Sequence, residues 1–224
     1  MTQKVEKHDF IELNYTGKLA DGTVFDTTLE KVAKDNKFYS EKSKYGPVTI
    51  CVGEKQILPG LDHSLVNMEI DKKTEIKLSP ENAFGKKDIK NLKIVPMEVF
   101  KQHKLNPHPG LQVDVDGVMG IVNRVSGGRV IVNFNHPLAG REVVYEVEVI
   151  RKLTDAKEKI KAYLEATLRV PKDKVKVESH ETYLEAELPA NLPPQIAEIL
   201  SKKLSEIIKK EVKFKSILQP INPE

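Results

Sequence analysis

A hairpin constrains this chain more than any other feature in it. Residues 15–28 read YTGKLADGTVFDTT and follow the alternating Ile11 and Leu13. Asp21-Gly22 separates that run from Val24 and Phe25. Asp-Gly between two alternating runs is the strongest short hairpin signal, since both residues tolerate the positive φ of a tight turn. Gly17 reads as a break in the first strand. The return strand ends with Phe25 beside Asp26, an aromatic ring next to a carboxylate where the sheet opens, which suits a site better than a core. Taken singly, Tyr15, Phe25 and Tyr145 read as sheet core ahead of a site, and Asp26 as a loop cap.

Beyond the hairpin, residues 29–45 are charged and polar, a surface excursion with room for a short helix. Pro47 restarts an extended segment at 48–52. Pro59 then opens a short helix in which Leu61, Leu65 and Met68 recur at helical spacing. Ile76 and Leu78 mark another strand, and residues 81–85 place Phe84 on a loop. From residue 86 the texture changes. Residues 96–100 predict one helical turn, and 113–115, 118–125 and 129–134 predict short strands joined at Asp116-Gly117 and Gly127-Gly128. Met119, Ile121, Val130 and Ile131 put apolar groups on both faces of this small unit. Either some of that surface stays exposed for a partner or it fills a compact core; both readings are open. An alternating strand at 143–150 (Tyr145, Val147, Val149) returns to the first sheet. After Lys152 the pattern is α-β-β-α-β, with apolar helical stripes at Ile160, Tyr163 and Leu164 and again at Ile199, Leu200 and Leu204. That tail is long enough to fold as a separate module.

Charge excludes some functions. Lys and Arg total 36 against 33 Asp and Glu among 224 residues, and no basic stripe of the kind nucleic acid requires is present. One cysteine, Cys51, precludes an internal disulfide framework and fits a reducing compartment. The N-terminal stretch lacks the apolar segment of a secretory signal, and no run is long enough to cross a bilayer. The expectation is a cytoplasmic protein with neither a nucleic-acid nor a membrane partner. His103 and His108 are too loosely spaced on a Pro-rich loop to suggest a metal site.

Four ordered blocks then carry a resemblance: YTGKLADGTVFD (15–26), VGEKQILPGL (52–61), SPENAFG (79–85), and NHPLAG with YEVEVI within 135–150. Across residues 10–152 the chain resembles the FKBP-type peptidyl-prolyl cis-trans isomerases. More closely, it is similar to the SlyD-like, archaeal long-type class, in which an insert-in-flap chaperone domain interrupts the loop after the aromatic-Gly pair. The resemblance implies an α+β fold: an FKBP-like antiparallel sheet wrapped on a short helix, interrupted by a small β-rich insert-in-flap domain and followed by an α+β C-terminal module. The implied domains are 1–85 with 135–152 (isomerase), 86–134 (insert) and 153–224 (of unknown role).

Carried over residue by residue, the family's proline pocket falls on Tyr15, Phe25, Asp26, Ile57, Leu58, Leu61, Phe84, Leu138 and Tyr145, with Val48 at the rim. His136 stands either at that rim or on the turn. Two positions depart from the family pattern. Leu61 stands where tryptophan usually forms the floor, and Phe84 where a tyrosine hydroxyl usually meets a ligand carbonyl. The implied partners are unfolded or partly folded proline-containing polypeptides, with no cofactor and no metal. The C-terminal helices offer a surface for a homodimer, a second client surface or contact with a larger machine. The rival reading is a catalytically weak holdase or assembly adaptor.

Overall fold

The computed structural model describes residues 3–215. In chain order its strands and α-helices are β1 (Phe10–Leu19), β2 (Val24–Thr27), α1 (Glu30–Asp35), β3 (Val48–Cys51), α2 (Pro59–Ser64), β4 (Lys73–Leu78), β5 (Leu92–Pro96), α3 (Met97–Gln102), β6 (Gln112–Val115), β7 (Val118–Ser126), β8 (Arg129–Asn133), β9 (Val143–Lys152), α4 (Ala156–Leu168), β10 (Lys176–Ser179), β11 (Tyr183–Glu187), α5 (Pro194–Ile208) and β12 (Glu211–Phe214). By packing they form two compact units. One runs through Lys77 and resumes at Val144; the other spans Leu78–Val143.

In the first unit a five-stranded sheet has the order β2-β1-β9-β4, with β3 also alongside β1. The hairpin read from Asp21-Gly22 is present: Thr16 faces Thr27 and Gly17 faces Asp26 in an antiparallel register. Gly17 does not break β1. The strand continues to Leu19, and the irregularity is a register shift between Gly17 and Lys18 that leaves the pairing intact on both sides. Strand β9 keeps its alternation, with Val143, Tyr145, Val147 and Val149 all buried, as expected for a strand with one face on a core. Helix α2 begins at Pro59, where the missing N–H is no loss, and Leu61, Leu65 and Met68 are buried as their spacing requires.

The tail has the expected α-β-β-α-β order. β10 and β11 are antiparallel, and β12 joins β11 in parallel after the α5 crossover. Its core is continuous with the first sheet. Phe10 and Cys51 cluster with Leu164, Leu184, Leu200 and Leu204, and the Phe10 and Tyr163 rings lie 6.4 Å apart. At the same junction the nearly buried Glu54 carboxylate meets Lys203 of α5 at 2.8 Å.

The second unit contains a four-stranded sheet, β5-β8-β7-β6. Both of its expected tight turns have two consecutive positive φ angles, 54° and 79° at Asp116-Gly117 and 55° and 74° at Gly127-Gly128, the type I′ signature. Strand β5 was not expected. Its partner β8 is distant in sequence, and its side chains are largely exposed, so no burial alternation announces it. Phe100, Val113, Val122, Val130 and Val132 form the core. Ile89, Ile94, Val118 and Met119 remain exposed, at 82, 62, 53 and 59%. One set of apolar groups therefore makes a core while another faces solvent.

Candidate active site

Strand β1, its hairpin partner β2 and strand β9 bring three rings and a carboxylate together. The Tyr15 hydroxyl donates to Asp26 Oδ2 at 3.0 Å. The Tyr145 ring lies 5.8 Å from both Tyr15 and Phe25, edge-on to each, an arrangement that sets ring edges against electron-rich faces. Burial, followed by the Asp26 carboxylate, pushes both phenols, Tyr15 and Tyr145, well above the usual tyrosine range. They therefore stay neutral across the physiological range.

Gly17 makes the cluster possible. A Cβ there would lie 2.8 Å from Phe25 Cζ and 3.0 Å from a Tyr145 ring carbon, so a side chain would displace both rings. Gly17→Ala is expected to destabilise the fold by about 1–3 kcal/mol, the usual effect of overpacking, and to lower turnover of an Xaa-Pro peptide. Denaturant melts and peptide kinetics measure both effects, and wild-type turnover would show that the ring positions are unimportant. Beneath the rings, buried Thr16 and Thr27 share a 2.8 Å hydroxyl contact, and Thr28 Oγ1 accepts from Tyr15 N at 3.0 Å. These bonds fix the backbone that aims Tyr15 and Asp26. In the sequence Gly17 reads only as a strand break and the threonines do not stand out, although the FDTT run after the turn contains two of the three hydroxyls.

Half-buried Ile57 and Leu58 precede α2, while Leu61 is buried within it. The loop that presents them is braced by a buried carboxylate. Asp62 accepts from the backbone N–H of Gly53 at 2.8 Å and of Lys55 at 2.9 Å, and Gln56 Oε1 accepts from Cys51 N at 2.8 Å. Tyr15, Val48 and Ile57 line a groove of about 570 Å³ whose other residues include Glu165 and Ala166 of α4.

Phe84 and Leu138 belong to the second unit. There Phe84 stacks on His136, with centroids 4.6 Å apart and planes within 3°. His136 Nδ1 accepts from Leu138 N at 3.1 Å, and Gly140 N donates to Gly85 O at 2.8 Å. The loops on either side of the insert are thus tied to each other. Among the described residues, ligand atoms of Glu178, His180 and Glu185 lie within 4.8 Å of one another on the β10–β11 pair. They are partly or fully exposed, and the His180 ring is engaged in a stack on Tyr183.

The chain is similar to several known proteins. A family model described as FKBP-type peptidyl-prolyl cis-trans isomerase matches residues 1–102, and one described as the FKBP26 IF domain matches residues 93–138. The short-type peptidyl-prolyl cis-trans isomerase of Methanocaldococcus jannaschii is 29% identical over 149 residues, which cover 66% of this chain and 94% of that protein. The FKBP-type 16 kDa peptidyl-prolyl cis-trans isomerase of Escherichia coli K12 is 27% identical over 67% of this chain and 95% of its own length. The FKBP-type peptidyl-prolyl cis-trans isomerase SlyD of Haemophilus influenzae is 25% identical over 66% and 72%, respectively. Residues 1–102 thus belong to the FKBP-type peptidyl-prolyl cis-trans isomerase family, and relatives that carry that family's name match about two thirds of the chain.

Proposed function

We propose that the chain turns X-Pro bonds in unfolded or partly folded polypeptides at a pocket formed by Tyr15, Phe25, Asp26, Ile57, Leu58, Leu61 and Tyr145. The observation that supports this most is the Tyr15–Asp26 bond within the three-ring cluster.

The reaction breaks no σ bond. A peptide bond resists rotation by about 18–20 kcal/mol because its C–N bond is partly double, and uncatalysed exchange at proline takes roughly tens to hundreds of seconds. The planar ground state carries charge separation between carbonyl oxygen and nitrogen that the twisted state loses. Apolar walls therefore disfavour the planar form relative to the twisted one. In this reading the Leu58 backbone N–H donates to the client main chain, and Asp26, held by Tyr15, acts as an orienting acceptor. An acceleration of ten-thousandfold requires only about 5–6 kcal/mol, within reach of desolvation and positioning. Rotation needs no nucleophile or general base.

The insert, residues 86–134, holds clients through its exposed apolar groups, Ile94, Val118 and Met119 among them. The setting is the cytoplasm, consistent with one free, buried cysteine and with no described helix long and apolar enough to span a membrane. A second copy of the chain packs on α5, where Ile196 and Ile199 are 42 and 63% exposed; Ile199→Glu in the full chain should halve the mass in solution, and an unchanged mass would remove the dimer. The isomerase reading is tested by protease-coupled turnover of a short Xaa-Pro peptide, alongside refolding of a proline-limited protein, for wild type, Phe25→Ala and Asp26→Ala. If both variants leave both rates at the wild-type level, the pocket only binds and the holdase alternative stands.

A further inference from the structure

The groove beside the ring cluster is built from two parts of the chain. Tyr15, Val48 and Ile57 come from the isomerase sheet and loop, and Arg169 and Lys172 from the end of α4 and the turn after it. Its volume, about 570 Å³, falls in the roughly 300–1,000 Å³ range of ligand pockets. That is room for a proline and a few flanking residues. The four charged residues lining it are Lys44, Glu165, Arg169 and Lys172.

Their pairing is unequal. Lys172 sits 3.6 Å from Glu165 and donates to Thr49 Oγ1 at 2.9 Å, so this lysine and this glutamate offset each other. Among the described residues Lys44 and Arg169 have no ion-pair partner. Arg169 is placed by the end of the helix. It takes the left-handed conformation at φ 57°, and its N–H closes the last turn onto Glu165 O, so its exposed side chain leaves the helix axis beside the groove. The carbonyl end of α4 subtracts roughly half a charge there, which still leaves more than one uncompensated positive charge. At the Tyr15 end the Asp26 carboxylate supplies the opposite sign.

We propose that this groove is a client subsite continuous with the proline pocket, and that Arg169 and Lys44 make it prefer segments with a glutamate or aspartate within a few residues of the proline. The tail after residue 152 thereby gives the isomerase site a charge preference that its sheet alone lacks. The inference rests on the pocket reading above, and its test separates the two.

The experiment uses the full chain and three peptides that differ only in the residues flanking one neutral X-Pro pair: Glu, Gln or Lys. Affinity is read by fluorescence anisotropy, and turnover by the protease-coupled assay. Each exposed ion pair is worth up to about fivefold, so wild type should bind the Glu peptide roughly two- to tenfold tighter than the Gln peptide, and the Lys peptide more weakly than either. The ratio should shrink towards one as salt rises to about 0.5 M and screening shortens to a few ångströms. In the Lys44→Glu/Arg169→Glu double variant the order should invert. Reading each protein as a Glu-to-Gln ratio cancels any general loss of folded protein. Equal wild-type affinity for the three peptides, or a preference that survives both substitutions, overturns the subsite. Absence of turnover on all three peptides overturns the isomerase reading instead and leaves the affinity ratio to decide the groove.

Discussion

Phe25→Ala lowers kcat/KM on a short Xaa-Pro peptide by roughly thirty- to a hundredfold. The Phe25 ring lies edge-on to Tyr145 and against Gly17, so its removal opens the ring cluster to water. Truncating a fully packed phenylalanine costs about 3–5 kcal/mol. Phe25 is only half-buried, so a loss of about 2–3 kcal/mol is the appropriate scale, and each 1.36 kcal/mol of barrier is tenfold in rate. Asp26→Ala should cost less, about tenfold, because it removes an orienting partner of Tyr15 while the wall stays in place. The protease-coupled assay, with a denaturant melt on the same samples, separates loss of catalysis from loss of fold. Phe25→Ala turnover within twofold of wild type would mean that rotation does not depend on a dry ring cluster.

Removing residues 86–134 should slow catalysed refolding of a proline-limited protein at least tenfold more than it slows peptide turnover. Under the proposed reading, a client held by the insert would meet the pocket at millimolar effective concentration, and that advantage of roughly a hundredfold or more would disappear with the tether. A short peptide never used it. The ends to be joined are close. Asp88 N donates to Asn135 Oδ1 at 2.8 Å, and Gly140 N donates to Gly85 O at 2.8 Å, so a short glycine link spans the gap. The core of Phe100, Val113, Val122, Val130 and Val132 leaves with the deleted piece. Equal losses in the two assays would make the insert a structural element only.

How far these features were legible in the sequence depended on how local their cause was. The hairpin at Asp21-Gly22, the alternation of β9 and the proline start of α2 each follow from a few neighbouring residues, and each is where the pattern put it. The proposed pocket residues on β1, β2 and β9 came from ordered family blocks, since no single ring on a strand distinguishes a site from a core. What stayed hidden has non-local causes. Strand β5 exists because it pairs with β8 some forty residues later. Gly17 looked like a break because nothing adjacent announces that two rings from other strands press on its α-carbon. The tail's helices were legible as amphipathic, but the identity of their partner surface was not, because Phe10 and Cys51 look like ordinary strand residues until Leu164 and Leu204 are laid against them.

That last contact bears on how the chain can be shortened. Cutting after Lys152 would uncover a fully buried phenylalanine and a thiol that burial, with Glu54 next, raises to about 12, and would leave the Glu54 carboxylate without its lysine. A minimal catalytic fragment of this protein would therefore need a redesigned back surface, polar at positions 10 and 51, before it could be handled as a monomeric reagent.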